Sequence, residues 1–438
     1  VDLGLDQLGD SAELADIFGG NVILPGADPI ALAYAGHQFG HFSPQLGDGR
    51  AVLLGDVVDH HGRRYDIQLK GSGRTPFSRR GDGKSSLGPV IREFLVSEAM
   101  HALGVPTTRA LAAVATGETV HRETALPGGV LTRIASSHIR IGTFEYFAAR
   151  RDVAGVKALA DFAIARHAPN VASQSQPYLA LFERVLEAQT QLVAHWMSIG
   201  FIHGVMNTDN MAISGETLDY GPCAFMDAFH AEKVFSSIDH GGRYAFNQQP
   251  AIVHWNLTRL AECLLLLDED QAAFELQLAR VKSLFESSYY RRMRVKLGID
   301  DTESDDLLAD NELVQEWLGY LQLHQLDYTQ SFRALADQLD EDSAPRFGDF
   351  ETRWLRRVQR QPGSKPDTRR SMNAVNPMFI PRNHQIERAI TAGINADYSI
   401  FDELRVALSQ PFDAQERYAQ YAVPPRPEEQ VLRTYCGT

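Results

Sequence analysis

The stretch FIHGVMNTDNMAISGETLDYGP, residues 201–222, constrains this chain more than any other. Apolar residues recur at three-to-four spacing on both sides of it, but here Gly, Asn and Asp break that period, so a helical region is interrupted by a loop. Within the loop, Asn210 stands seven positions after His203, and Asp219 opens DYG nine positions later. Asn210 and Asp219 offer oxygens of the kind Mg2+ takes, alongside phosphate and water. An N-cap or Asx-turn role is the plainer account of Asp209 or Asn210 taken singly.

Ahead of the loop, AVLLGDVVD and RYDIQLK read as two strands joined by HHGR, a hairpin closing on Lys70. GSGRTPFSRRGDGKSSLG is a long, glycine-dense loop. PVIREFLVSEAMHALG then reads as a helix, with Pro89 in its first turn and Gly104 at its end. Short strands are expected near TRALAAVAT, ETVHRE and GGVLTRIA. From about residue 143 the pattern is helical, in FEYFAARRDVAGVKALADFAIARH, YLALFERVLEAQTQLVAHWMSIGF and NLTRLAECLLLLDEDQAAFELQLARVKSLF. The expected architecture is α+β: a mixed N-terminal lobe over 1–143, a mainly helical lobe over 144–330 and a helical C-terminal extension over 331–438. A ligand cleft is expected where the glycine loops meet residues 203–221. In the tail, DTESDD opens an acidic run that reads as solvated surface, and NAVNPMFIPRNHQIERAI leads into a helix whose role periodicity does not reveal.

A net charge of −14 over 438 residues argues against bulk nucleic-acid binding. Against that background Arg50, Arg74, Arg79, Arg80 and Lys84 form a locally positive region, which points to a compact anionic ligand. No apolar run approaches the ~20 residues of a membrane-spanning helix. The start, VDLGLDQLGDSAELADIFGGN, lacks a basic-then-apolar signal pattern, so a bacterial cytoplasmic setting is expected. Cys223, Cys263 and Cys436 form neither a disulfide framework nor a metal cluster.

GDGR at 47–50 and GDGK at 81–84 bracket the Lys70 hairpin. Glycine lets backbone N–H groups approach a phosphate closely, although each pattern alone is an ordinary turn signal. A strand lysine followed by a helix glutamate is the pair with which kinases grip nucleotide phosphates. Periodicity does not choose between Glu93 and Glu98 for that partner. Arg133 and Arg140 are seven apart in LTRIASSHIRIGTFE, which would place them on one face of a continuous helix. Their planar forks would suit a polyphosphate.

In the frame of small-molecule kinases the loop reads His-Gly-Asp, four residues, then Asn. Here Val205 replaces the acid, and valine supplies no base. The chain resembles the selenoprotein O family, also called YdiU or UPF0061, of protein adenylyltransferases. The resemblance spans nearly all of it, through YAGHQFGHFSPQLGDGRA, QLKGSGRTPFSRRGDGKSSLGPVIREFLVSEAM, LTRIASSHIRIGTFE, HGVMNTDNM, LDYGP and NPMFIPRNH.

The resemblance implies a protein-kinase-like, two-lobed fold that seats ATP inverted and moves AMP onto protein Ser, Thr or Tyr hydroxyls. It implies that Gly47, Gly49, Arg50, Lys70, Asp82, Gly83, Arg133, Arg140 and Asp219 bind ATP and that Glu93 pairs with Lys70. Asn210 and Asp219 would hold Mg2+, with Mn2+ as the substitute ion, and Asp209 would accept the proton. Animal members carry selenocysteine near the C terminus, the place Cys436 takes here, with Cys223 as the nearest candidate partner. The rival readings are an ordinary kinase, disfavoured by Val205, and a catalytically inactive nucleotide-binding scaffold.

Overall fold

The computed structural model describes residues 3, 11–299, 307–340 and 342–435. Cys436 and the DTESDD stretch lie outside the described residues. After helix α1 (Ser11–Phe18), β1 (Gly36–Gln38) and β2 (His41–Ser43) form a small antiparallel ladder. The main sheet is antiparallel and contains β3 (Ala51–Val58), β4 (Arg64–Lys70), β5 (Ser85–Ser86), β6 (Arg109–His121) and β7 (Ala125–Ala135). Helix α2 (Leu87–Ala102) follows β5 and packs on this sheet.

The register of β3, β4 and β7 does most to position the site. Ala51 lies opposite Lys70, so the GDGR turn ends beside the lysine. Gln68 lies opposite Arg133. Because side chains alternate along a strand, Gln68, Lys70 and Arg133 share one face. TRALAAVAT and ETVHRE, expected as separate strands, are one strand, β6, whose pairing with β7 shifts between Ala115 and Thr119. Gly117, at φ 72°, takes up that irregularity in a backbone conformation costly for other residues.

The helical part begins with α3 (Ile141–Ala148) and α4 (Val153–His167). The expected single helix is broken because Arg151 adopts φ 55° and Asp152 caps the new helix, accepting from Gly155 N at 2.9 Å. Next come α5 (Pro177–Ser198), β8 (Phe201–Ile202) and β9 (Ala224–Phe225). The β8–β9 ladder ties together the two ends of the loop singled out by sequence. The chain continues through α6 (Gln249–Leu264), α7 (Gln271–Ala279), α8 (Val281–Lys296), α9 (Leu307–Leu323) and α10 (Tyr328–Asp337). It closes with α11 (Gly348–Val358), α12 (Lys365–Val375), α13 (Asn383–Ile394) and α14 (Ser399–Ser409). No described helix is long and apolar enough to cross a membrane.

One large core runs through the helices around Phe182, Trp196, Trp317 and Trp354. A second joins Leu87, Ile91 and Leu95 of α2 to Phe379, Leu404 and Leu408, so α13 and α14 back the helix that carries Glu93. The NPMFIPRNH segment now has a physical role. Arg382, with its side chain fully buried, donates to Asp227 Oδ1 at 2.5 Å and Asp327 Oδ2 at 2.8 Å, and its Nε donates to Ala422 O at 3.0 Å. It therefore ties the C-terminal segment to the chain just beyond DYG. Arg382→Ala would strand two carboxylates and is expected to cost about 3–5 kcal/mol, read from the urea midpoint. A midpoint equal to that of the parent protein would refute this role.

Candidate functional site

Asp219 is where the sheet, α2 and α3 converge. Lys70 Nζ donates to Glu93 Oε2 and to Asp219 Oδ1, both at 2.7 Å. Arg133 Nε donates to Glu93 Oε1 at 2.5 Å, and its Nη2 donates to Asp219 Oδ1. Arg140 Nη1 reaches Asp219 Oδ2 at 3.3 Å and the backbone oxygen of Asp209 at 2.8 Å. Burial alone would raise the Asp219 carboxyl, but Arg133, Lys70 and Arg140 hold it well below the usual carboxylate range. Glu93 is lowered in the same way, with Arg133 and Lys70 overcoming its burial. Asp219 also adopts φ 66°, a left-handed conformation that costs a non-glycine residue on the order of 1–3 kcal/mol.

The choice between the two glutamates is decided by which face of α2 meets which strand. Glu93 is 5% exposed and meets Lys70. Glu98 instead clamps α2 to β6, accepting from Arg109 Nε and Nη2, each at 2.8 Å, and from Ala110 N at 3.0 Å. The helical argument for Arg133 and Arg140 does not hold. Arg133 lies on β7 and Arg140 immediately precedes α3. The turn between strand and helix, rather than a common helical face, brings both guanidinium groups to Asp219.

The two glycine motifs stack over this cluster. Gly47 adopts φ 76°, and an added Cβ would lie 2.3 Å from the Phe77 ring; Gly83 adopts φ 69°, with Gly73 O only 2.1 Å from its Cβ position. Only glycine permits these approaches, which fold the 71–84 loop over the 47–50 turn. Asp82 accepts both terminal nitrogens of Arg122, at 2.9 and 3.0 Å, and that pairing holds its carboxyl at about 2.

Two members of the site escaped the sequence reading. Arg122 ends an unremarkable strand pattern, and Asp48 passes as a turn residue inside GDG. Asp48 is in fact 2% exposed, with its Oδ2 accepting from Gln68 Nε2 at 3.1 Å and Leu32 N at 3.3 Å. Its Oδ1 accepts from Arg140 Nη2 at 3.4 Å. Burial raises its carboxyl, with Arg140 acting against that rise. The repeated GDG on either side of Lys70 was the available signal for it.

Asp209 sits in a short 3-10 turn, Thr208–Asn210. Thr208 Oγ1 donates to Glu145 Oε2 at 2.5 Å, Glu145 Oε1 meets His37 Nδ1 at 2.5 Å, and His37 N donates to Thr208 Oγ1 at 2.8 Å. This closed knot fastens the turn to α3 and β1. Gly36 lies so close that an added Cβ would stand 2.4 Å from Asp209 Oδ1. That Oδ1 is buried without a hydrogen-bond partner, while Oδ2 accepts from Gln38 Nε2 at 3.4 Å. Burial pushes the Asp209 carboxyl up to about 6. Among the described buried side-chain atoms without a partner Asp209 Oδ1 is the sole carboxylate oxygen, and its residue lines the cleft, which makes it a candidate to meet a ligand or a proton.

His203 has a structural part. Stacked on Trp196, it is fully buried, and its Nε2 donates to Leu218 O at 2.9 Å, directly before Asp219. Val205 lines the cleft where the kinase frame places an acid. Cys223 is buried, its Sγ donating to Tyr220 O at 3.5 Å. The tail approaches the same loop, with Thr434 Oγ1 donating to Pro222 O at 2.5 Å.

All of the expected nucleotide and metal residues except Glu93 line one cleft of about 950 Å³, a volume suited to a nucleotide. Tyr34 forms part of its wall, with the Arg140 guanidinium 4.4 Å above its ring. Among the described residues no group of three or more His, Cys, Asp or Glu forms a metal cluster. Mg2+ does not require one, since it binds through one or two carboxylates plus substrate phosphates and water. Asn210 Nδ2 donates to Val205 O at 3.0 Å, which leaves its carbonyl oxygen to accept, and Asn210 and Asp219 line the same cleft. With phosphate and water completing the shell, these two oxygen donors fit the ion.

Removing Arg133 should be far costlier than removing a rim cation. Arg133→Met is expected to lower stability by about 3–5 kcal/mol, because Glu93 and Asp219 lose a buried partner. Lys84→Met, which loses an exposed pair with Glu118, should cost under about 1 kcal/mol. Equal denaturation midpoints for the two variants would contradict this ranking.

A family model described as protein adenylyltransferase SelO matches residues 1–409. Proteins named protein nucleotidyltransferase YdiU from Rhizobium etli and Bradyrhizobium diazoefficiens are each 53% identical, over 454 and 455 residues. Both alignments cover 100% of this chain, with 90% and 92% of the relatives. Another of that name, from Bradyrhizobium sp. strain ORS 278, is 55% identical over 446 residues, covering 98% of this chain and 90% of the relative. The chain therefore belongs to the SelO family of protein adenylyltransferases, which is a nucleotidyltransferase family.

Proposed function

We propose that this protein transfers AMP from ATP to Ser, Thr or Tyr hydroxyls of protein substrates, using a kinase-like two-lobed fold in which the nucleotide is seated inverted. The observation that carries this reading is Asp209: a buried carboxylate on the cleft wall, pushed up to about 6, with one oxygen lacking a hydrogen-bond partner. Val205 leaves the kinase base position empty of acid, so Asp209 is the group suited to receive the hydroxyl proton.

In the proposed reaction the hydroxyl oxygen forms a bond to the α-phosphorus while its proton passes to Asp209. The bond from the α-phosphorus to the α,β-bridging oxygen breaks, and pyrophosphate leaves with that electron pair. Lys70, Arg133 and Arg140 carry fixed positive charge into the cleft, and Gly47, Gly49, Arg50, Asp82 and Gly83 shape the wall above it. Prepositioned charge of this kind lowers the barrier because little reorganisation is needed as charge moves to the leaving group. Asn210 and Asp219 would hold Mg2+ or Mn2+, which when bound neutralises charge on the phosphate oxygens.

Incubation with ATP labelled at the α- or the γ-phosphorus tests the reading. Label in protein should come from the α-position alone, and γ-label retained in protein would refute the proposal.

The pH profile should follow Asp209. Its raised pKa means that the base form is lost as pH falls through about 6, so kcat/KM should drop about tenfold per pH unit below that value. Asp209→Asn should leave only a low, pH-flat residue of activity; an unchanged acidic limb would place the base elsewhere. Gly36→Ala adds and removes no charge yet crowds Asp209 Oδ1, and should lower AMP transfer on the order of 100-fold. Parental turnover in that variant would show that Asp209 needs no such placement.

A further inference from the structure

Behind the cleft, a separate cavity of about 630 Å³ lies between α5 and α8 and shares no lining residue with it. Its chemistry is the reverse of this acidic chain's overall charge. Lys296, at the end of α8, is 4% exposed and lines the cavity. Its ammonium lies 4.1 Å from the Phe332 ring and 5.8 Å from the Tyr328 ring, and no carboxylate among the described residues pairs with it. Burial lowers this lysine to about 7. Arg292, one helical turn earlier on the same face, also lines the cavity and has no carboxylate partner among the described residues.

From α5, His195 faces these cations, and burial followed by Arg292 and Lys296 pushes it down to about 3, so it is a neutral ring. Glu187, the only carboxylate on the wall among the described residues, is paired with Arg280 at 3.3 Å. Lys296 and Arg292 thus face a half-enclosed space with no carboxylate paired to either among the described residues, and Arg291 adds a third basic group to the wall, an arrangement that would favour an anionic ligand. The space falls within the usual range for small-molecule sites, and Leu284, Ile199 and Phe412 supply apolar wall.

We propose that this cavity binds a small organic anion, with its phosphate or carboxylate held by Arg292, the Lys296 amine beside it, and its apolar part against Leu284, Ile199 and Phe412. The site adjoins the entry to the catalytic loop. Tyr328, beneath Lys296, donates through its hydroxyl to Met197 O at 3.2 Å and Ser198 O at 3.0 Å, at the end of the helix that leads into β8. The proposal is independent of the AMP-transfer reading, because it concerns different residues and is read by binding.

The test uses the full chain and pyridoxal 5′-phosphate, a small anion bearing an aldehyde. Lys296 Nζ attacks the aldehyde carbon, the carbonyl oxygen leaves as water, and borohydride then delivers hydride to the imine to give a stable amine that peptide mapping locates. Labelling of Lys296 is expected to be at least about tenfold faster than with 5′-deoxypyridoxal, which lacks the phosphate and, unlike pyridoxal, cannot close to an internal hemiacetal. Inorganic phosphate or citrate should protect, and their relative potency separates a phosphate-preferring from a carboxylate-preferring site. Arg292→Gln, checked for a parental melting temperature, should bring the rate down toward that of 5′-deoxypyridoxal. Equal rates for the two aldehydes, an unlabelled Lys296, or no protection by either anion would overturn the proposal. Should the variant fail to fold, the comparison of the two aldehydes on the parent chain decides it.

Discussion

One carboxylate organises this molecule: Asp219, held between Lys70, Arg133 and Arg140. None of these charges would tolerate its degree of burial alone, since the cost of leaving water exceeds what a single exposed pair returns. Together with Glu93 they form a mutually satisfied cluster, and its members come from β4, β7, α2, the start of α3 and the loop after β8. The cluster therefore fixes the sheet relative to the helices at the point where the glycine turns close over the cleft. The cations that steady Asp219 are also the ones that, in the proposed reaction, would meet a polyphosphate.

A second constraint acts on Asp209, and it is steric as much as electrostatic. Gly36 leaves just enough room for the carboxylate, and the Thr208–Glu145–His37 knot prevents the turn from relaxing away. Arg140 joins the two constraints, because one nitrogen bonds both the backbone of Asp209 and the side chain of Asp219. An acid displaced by four positions from the kinase frame can thus occupy a defined place in the cleft, while Val205 fills the vacated position with an apolar side chain.

The C-terminal helices belong to this arrangement. α13 and α14 cover the outer face of α2, the helix that holds Glu93, and Arg382 anchors the same segment to Asp227 and Asp327. Packing behind α2 limits its movement relative to β4, and so protects the Lys70–Glu93 geometry from the rear. The buried arginine explains how a Pro- and Asn-punctuated segment without useful periodicity is nonetheless fastened to the helical core.

Local pattern alone was enough to determine the β3–β4 hairpin ending at Lys70, the helix after the glycine loop, the break in the helical region at 203–222 and the oxygen donors that Asn210 and Asp219 offer, whereas a role for Asp209 came only with the family resemblance. These features depend on residues close in the chain, where alternation, caps and glycine act directly. Tertiary structure decided what near neighbours do not encode: Glu93 rather than Glu98 as the partner of Lys70, Arg133 and Arg140 meeting from a strand and a helix start, and Asp48 as a buried acid. It also decided the place of Arg382. Each of those outcomes depends on which surface is pressed against which distant element, and therefore on desolvation and on charges brought together across long stretches of chain. Periodicity places a side chain on a face, but only packing determines what that face meets.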